Sequence, residues 1–264
     1  MRKKESLSDE LMENMMLENK TAFVTGSNRG IGLAILQCFA QAGCNIYAHS
    51  RQKSEEFINT AEGIAKKHKV KIQHVYFDLE DGEAIRAELR TIFKTKIPID
   101  ILVNSAGIIH GGLFQMTPIR DIRKVLDVNL FGMLEVTQLV SKYMMRKKTG
   151  SIVNISSVAG IDLSAGNCAY GLSKAAVIAF SKTLSSELSS FGIRVNVVAP
   201  SLTDTDMAHT EQATKERVAL TNGKDHFVRM ANPNEIADLV CYLASDKASF
   251  INGQVIRIDG GNKF

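Results

Sequence analysis

The sequence predicts an α/β protein: a parallel sheet with helices on both faces. Two observations carry this. Short β-type apolar runs alternate with longer amphipathic, helix-period segments along nearly the whole chain, and the first run leads directly into a glycine-rich turn and then a helix. The 264 residues, 45% hydrophobic and 23% charged, exclude collagen-like, coiled-coil and wholly disordered classes. A chain of this length fits one domain with one sizeable core layer on each side of the sheet.

Strands are expected near 21–25, 45–49, 71–77, 101–103, 151–155, 194–198 and 255–258. The first helix follows the glycine turn, with Ile31, Ala34, Ile35, Cys38, Phe39 and Ala42 on its buried face. Asn232-Pro233-Asn234-Glu235 reads as a capped helix start, with an N-cap side chain, a proline where no N–H is needed and a Glu at N3. Ile236, Leu239, Val240 and Leu243 then mark its inner face. Thr117-Pro118 is expected to open another helix in the same way. Residues 1–16 are polar, charged and Met-rich and are expected to form a mobile arm, leaving 17–264 as the folded domain. The polar, irregular segment 201–231 is long enough to be a functional loop or lid.

The net charge of +4 is spread along the chain, without a continuous basic stripe, so nucleic acid is not an expected partner. The longest apolar runs, 175–180 and 239–244, have six residues each, where a transmembrane helix needs roughly 20. No membrane association is expected. Arg2-Lys3-Lys4 has no apolar segment after it, and a cytoplasmic location is expected. Cys38, Cys44, Cys168 and Cys241 lack zinc-ligand or C-x-x-C spacing and are read as reduced thiols, Cys168 as a buried one, and no metal is expected.

The chemistry begins at Thr25-Gly26-Ser27-Asn28-Arg29-Gly30-Ile31-Gly32. Glycines here permit a tight turn and close approach of a pyrophosphate to backbone N–H groups, and the N-terminus of the following helix favours the anion. A dinucleotide is the ligand this arrangement suits. The tip of the second strand selects between the two nicotinamide dinucleotides, since a carboxylate there accepts a ribose 2′-OH and repels a 2′-phosphate. The strand ends Tyr47-Ala48-His49-Ser50-Arg51, with no carboxylate. Arg51, and Arg29 on the glycine turn, offer charge-assisted hydrogen bonds to a phosphate, which favours NADP(H) over NAD(H). His49 is read as a strand residue.

The strand near 151–155 runs into Ser156-Ser157, and thirteen residues beyond Ser157 stands Tyr170, with Lys174 at i+4. One helical turn places the two on one face, where an ammonium lowers a phenol's pKa from about 10. Alone, such a pair is an ordinary surface pair. In this order and company it resembles the short-chain dehydrogenase/reductase family, and the resemblance covers residues 17–261. The glycine turn matches T-G-x-x-x-G-I-G and Tyr170-Gly-Leu-Ser-Lys174 matches Y-x-x-x-K. Asn104-Ser105-Ala106-Gly107 is similar to the family's N-N-A-G turn, and Asn129 falls on the tetrad asparagine.

The resemblance implies a Rossmann-like sheet of seven parallel strands in the order 3-2-1-4-5-6-7, usually in a homotetramer. It implies Asn129, Ser157, Tyr170 and Lys174 as catalytic residues. For the cofactor it implies Gly26, Ser27, Asn28, Arg29, Gly30, Ile31, Gly32, Arg51, Asp78, Leu79, Asn104, Ala106, Gly107, Tyr170, Lys174, Pro200 and Thr205. Hydride passes between the nicotinamide and a carbonyl, Tyr170 acts as general acid, Ser157 polarises the oxygen, Lys174 also bonds the ribose, and Asn129 positions a water. Ser105 and Ser201 depart from the usual Asn and Gly, and Ser201 puts its turn in question. The overall resemblance is nearest to 3-oxoacyl-(acyl-carrier-protein) reductases. That implies basic residues at the site entrance for an acidic carrier protein. Lys148 suits this role, while Phe191 stands where an Arg is expected. Ile108, Ile109, Leu163, Leu202 and Met207 are expected to give the substrate pocket an apolar flank. Two further readings stay open: a sugar, nucleotide-sugar or polyol substrate for the same chemistry, and a non-catalytic dinucleotide sensor.

Overall fold

The computed structural model describes residues 16–209 and 229–261. The seven expected strands form one sheet: β1 (Thr21–Thr25), β2 (Asn45–Ser50), β3 (Ile72–Tyr76), β4 (Ile101–Asn104), β5 (Gly150–Ile155), β6 (Ile193–Pro200) and β7 (Val255–Ile258). Their order is β3-β2-β1-β4-β5-β6-β7 and every pairing is parallel. Strands run within a residue or two of expectation, and β6 extends to Pro200.

The helices are α1 (Gly30–Gln41), α2 (Glu55–His68), α3 (Gly82–Lys94), α4 (Ile119–Leu126), α5 (Met133–Lys147), the short α6 (Ala159–Asp162), α7 (Cys168–Leu188) and α8 (Pro233–Ala244). Side chains alternate across a strand, so the central strands feed two cores. Ala22, Val24, Ile46, Val103 and Val198 pack under α1, α2 and α8. Phe23, Tyr47, Leu102, Ile152 and Val195 pack on the other face, against α3, α5 and α7.

Local chemistry sets the helix ends. Asn232 accepts a hydrogen bond from the Asn234 amide, and the Glu235 carboxylate accepts one from the Asn232 amide, as the sequence predicts. At Thr117-Pro118 the expectation is corrected: the Thr117 hydroxyl donates back to the Leu113 carbonyl, and Pro118, without a capping side chain, occupies the N-cap of α4. Met16 belongs with the folded part, since it packs half-buried on the core beside the fully buried Leu17. The rest of the expected arm, and 210–228 of the expected loop, lie outside the described residues. Among the described residues no helix is long and apolar enough to cross a membrane.

Candidate active site

In a parallel sheet, ligands gather beyond the carboxyl ends of the strands, at the point where the strand order reverses. Here that point lies between β1 and β4. The turn after β1 is built around Gly26 and Gly30, both in the left-handed region at φ 66° and 53°. A Cβ on Gly26 would lie 2.7 Å from Ala106 Cα, and one on Gly32 would lie 2.0 Å from the Gly26 carbonyl oxygen. Any side chain at either position collides with backbone, so the sequence fixes both the turn and its distance from the 104–107 turn. Thr25 secures the same junction, its hydroxyl oxygen accepting hydrogen bonds from the Ser105 and Ala106 amides.

The first turn of α1 has no capping side chain and no acidic residue. Its leading N–H groups therefore face the crevice with their positive partial charge uncompensated by side chains, which fits a pyrophosphate. Gly30 borders Thr205: a Cβ there would lie 3.1 Å from the Thr205 methyl, so the glycine turn and the start of the 201–209 segment form two walls of one crevice. Asp78 and Leu79 stand at the end of β3, where the Asp78 carboxylate accepts from the Glu80 amide and Leu79 is buried. Arg51 is exposed at the tip of β2, with Ser50 buried before it. Arg29 is exposed, and its guanidinium lies 3.8 Å from the Asp206 carboxylate.

Asn104 is the last residue of β4. Its side chain is buried and donates to Thr137 Oγ1 at 2.9 Å and Asn154 Oδ1 at 2.8 Å, so it serves the core beneath the crevice. Asn154 in turn donates to Ser181 Oγ on α7. This buried polar chain connects the turn after β4 to the helix that carries Tyr170 and Lys174.

The expected catalytic residues come from three elements. Ser157 follows β5, where its hydroxyl donates to the Pro200 carbonyl at 3.4 Å and accepts from the Ala159 amide at 3.1 Å. Tyr170 and Lys174 lie one turn apart on α7, with the ammonium 5.7 Å from the phenol ring centroid. Lys174 is buried and donates to the Ile155 carbonyl at 2.9 Å. Burial brings its pKa down from 10.5 to about 8. Among the described residues no carboxylate lies within ion-pair distance of it.

Asn129 sits in a π-helical segment, Asp127–Gly132, a bulge of the kind that often marks functional positions. It accepts from the Ile108 amide and donates to the Ile108 carbonyl and to Ser173 Oγ. Gly107 lies between Asn129 and Lys174, since a Cβ there would be 3.2 Å from Asn129 Oδ1 and 3.5 Å from Lys174 Nζ. Ser201 makes its turn without a left-handed conformation and donates its amide to the Ile258 carbonyl, so its Cβ is accommodated.

The substrate side is more open. Leu163 at φ 51° and Met207 are exposed, while Ile108 packs against Ile122, Val125 and Ala169. Cys168 is exposed at the first position of α7, correcting the buried reading: no preceding helical turn lies before it on α7. Lys148 does not flank this entrance within one protomer. It precedes the six-residue β5 and Ser157 follows it, an axial separation of roughly 20 Å. Thr25 opens the glycine motif and His49 lies in β2 as expected, but the sequence does not disclose that their side chains, with that of Ser173, position the site. A polar residue within a buried strand, as His49 is, was the available signal.

Residues 25–263 match a family profile described as enoyl-(acyl carrier protein) reductase. A 3-oxoacyl-(acyl-carrier-protein) reductase from Thermotoga maritima is 37% identical over 94% of this chain and 99% of its own length. One from Aquifex aeolicus is 38% identical over 93% and 98%. Among solved structures, a 3-oxoacyl-(acyl-carrier protein) reductase with bound NAD from Brucella melitensis superposes with a TM-score of 0.84 at 29% identity, covering 99% of this chain and 97% of that one. With the glycine turn, the Tyr170/Lys174 pair and the sheet order assembled as above, these matches show that the chain belongs to the short-chain dehydrogenase/reductase family.

Proposed function

We propose that the protein is an NADP(H)-dependent reductase of 3-oxoacyl thioesters, carried on an acyl carrier protein, working as a homotetramer. The observation that carries the reading is Lys174: a buried ammonium with a carbonyl for its hydrogen bond, set beside a phenol. Burying a cation without a counter-ion is costly, and such a cost is tolerated where the charge acts. The relatives' names supply the substrate class.

A nicotinamide dinucleotide held by the Gly26–Gly32 turn would supply hydride to the carbonyl carbon. Tyr170 donates its phenolic proton to the carbonyl oxygen as charge develops there, and Ser157 holds that oxygen by a hydrogen bond. Lys174 stabilises the resulting phenolate by its charge. Asn129, pinned at Ile108 and Ser173, fixes the segment behind Lys174 through which a proton is resupplied. The Gly26–Gly32 turn, Arg29, Arg51, Asp78, Leu79, Ala106, Gly107, Pro200 and Thr205 line or support the coenzyme crevice, and Asn104 supports it from below. The choice of NADP(H) rests on Arg51 and the absence of a carboxylate at the β2 tip. The Brucella neighbour is described with NAD, so coenzyme choice is a separate arm of the test.

The test follows oxidation of NADPH and NADH with acetoacetyl thioesters, crotonyl thioesters and keto sugars. Rapid NADPH oxidation with the acetoacetyl thioester is expected. Turnover of the crotonyl thioester alone would move the reading to enoyl reduction, turnover of keto sugars alone would move it to sugars, and inactivity with both coenzymes throughout would overturn it.

A further inference from the structure

His49 lies on β2, buried, at the point where the glycine turn, β2 and the end of β3 converge. Its ring packs tilted against Phe77, with centroids 3.9 Å apart, and faces Phe23 at 6.4 Å. Nδ1 lies 3.3 Å from the Gly26 amide nitrogen, and Nε2 lies 3.0 Å from the Phe77 carbonyl oxygen. An amide N–H only donates and a carbonyl only accepts, so a single state satisfies both: neutral imidazole with the proton on Nε2. Residue 49 holds the turn a second time through its backbone, since the Ser27 amide and hydroxyl both donate to the His49 carbonyl, at 2.9 and 3.0 Å.

The two ends of this link belong to different parts of the crevice. Gly26 begins the turn whose amides face the pyrophosphate position, and Phe77 immediately precedes Asp78 and Leu79. We propose that His49 is a positioning residue of the coenzyme site, a neutral imidazole that straps the glycine turn to the end of β3 and so fixes the two halves of the adenosine crevice before coenzyme arrives. The inference rests on the reading of this crevice as a dinucleotide site. Burial holds the imidazole in the required state, bringing its pKa down to about 4. Preorganisation of this kind strengthens binding by removing the ordering cost at the moment of association.

The experiment compares wild type, His49→Phe and His49→Gln. Phenylalanine keeps the packing on Phe77 and removes both side-chain hydrogen bonds, whereas glutamine restores one acceptor and one donor. Binding of NADPH and of NADH is titrated by fluorescence, and coenzyme KM and kcat are measured with acetoacetyl thioester. For His49→Phe the expected result is a dissociation constant and coenzyme KM weakened about tenfold, with kcat at saturation unchanged, and recovery of most of that loss in His49→Gln. Equal coenzyme binding by wild type and His49→Phe, or a loss falling on kcat, would overturn the inference while leaving the site reading intact. A wild type that binds neither coenzyme would overturn both. Should His49→Phe not fold, hydrogen exchange of the Gly26 amide in the coenzyme-free wild type decides: slow exchange is expected, and exchange at the rate of an open loop would sink the proposal.

Discussion

The two sides of the crevice are built differently. On the coenzyme side, Thr25, Ser27 and His49 tie the glycine turn to the ends of its neighbouring strands, and Gly26 rests against Ala106 with no room for a methyl group. On the substrate side, Leu163 and Met207 stand exposed, and the 159–163 segment, packed on α7 through Gly160, is tied to the sheet by one ion-pair cluster. The buried titratable groups follow the same division. His49 fits only as a neutral ring between a donor and an acceptor, while Lys174, which faces the chemistry, has a carbonyl partner suited to its charged form. On the proposed reading, a coenzyme of constant shape is met by a preset mould, and the reacting carbonyl by a charge held ready.

The largest effect should come from the reacting side. Tyr170→Phe removes the proton donor and leaves the ring and α7 in place, so turnover is expected to fall about 10³-fold with the coenzyme dissociation constant unchanged. Stopped-flow reduction and coenzyme titration check it, and near-normal kcat would break the division of labour. On the coenzyme side the corresponding lever is acid. The His49 pKa lies near 4 in the folded chain against 6.5 unfolded, so the unfolded chain binds the extra proton between those values. The stability this group contributes is fully present above pH 6.5 and is lost as pH falls through about 4, a change on the order of 3 kcal/mol. Denaturant titrations of wild type and His49→Gln at pH 7, 5 and 4 measure it, and parallel losses in both proteins would count against it.

The same division separates what the sequence discloses from what only the folded chain shows. The sheet was legible because its five central strands are buried on both faces and therefore spelled as apolar runs, and the glycine turn was legible because backbone contact at Gly26 and Gly32 excludes every other residue type. Tyr170 and Lys174 were legible by their helical spacing. The exposure of Cys168, the true start of α4 and the burial of the Asn104 amide were not, because each depends on what the tertiary structure leaves beside a side chain. Lys148 shows the limit in another form. A resemblance places a residue in a sequence, but the length of β5 places it at the opposite end of that strand from Ser157.

Coenzyme choice tests the comparison at the crevice rim, where the mould meets solvent. Arg51 is exposed beyond β2, free of the packing that fixes His49 two residues earlier. Arg51→Glu is therefore expected to leave stability unchanged and to shift the NADPH/NADH preference in kcat/KM about tenfold toward NADH, as a carboxylate repels the 2′-phosphate and accepts the 2′-OH. An unchanged ratio would show that the 2′ position is read elsewhere on that rim.

The smallest effect sharpens the substrate side. Arg257 on β7 donates from both terminal nitrogens to the Asp162 carboxylate, at 2.8 and 2.9 Å, and from Nε to Asp259 at 2.7 Å. Asp162 ends α6, one residue before Leu163, so the fork pins the segment after Ser157 to the edge of the sheet. Bidentate geometry favours the pair, while partial exposure of both partners lets water screen it. Arg257→Ala should therefore raise KM for the ketone only about threefold, leaving coenzyme KM and the pH profile unchanged, within the range of a partly exposed ion pair. If coenzyme KM rose equally, the two walls would be mechanically coupled. A change confined to the ketone would show that the substrate wall is set by its own separate clamp.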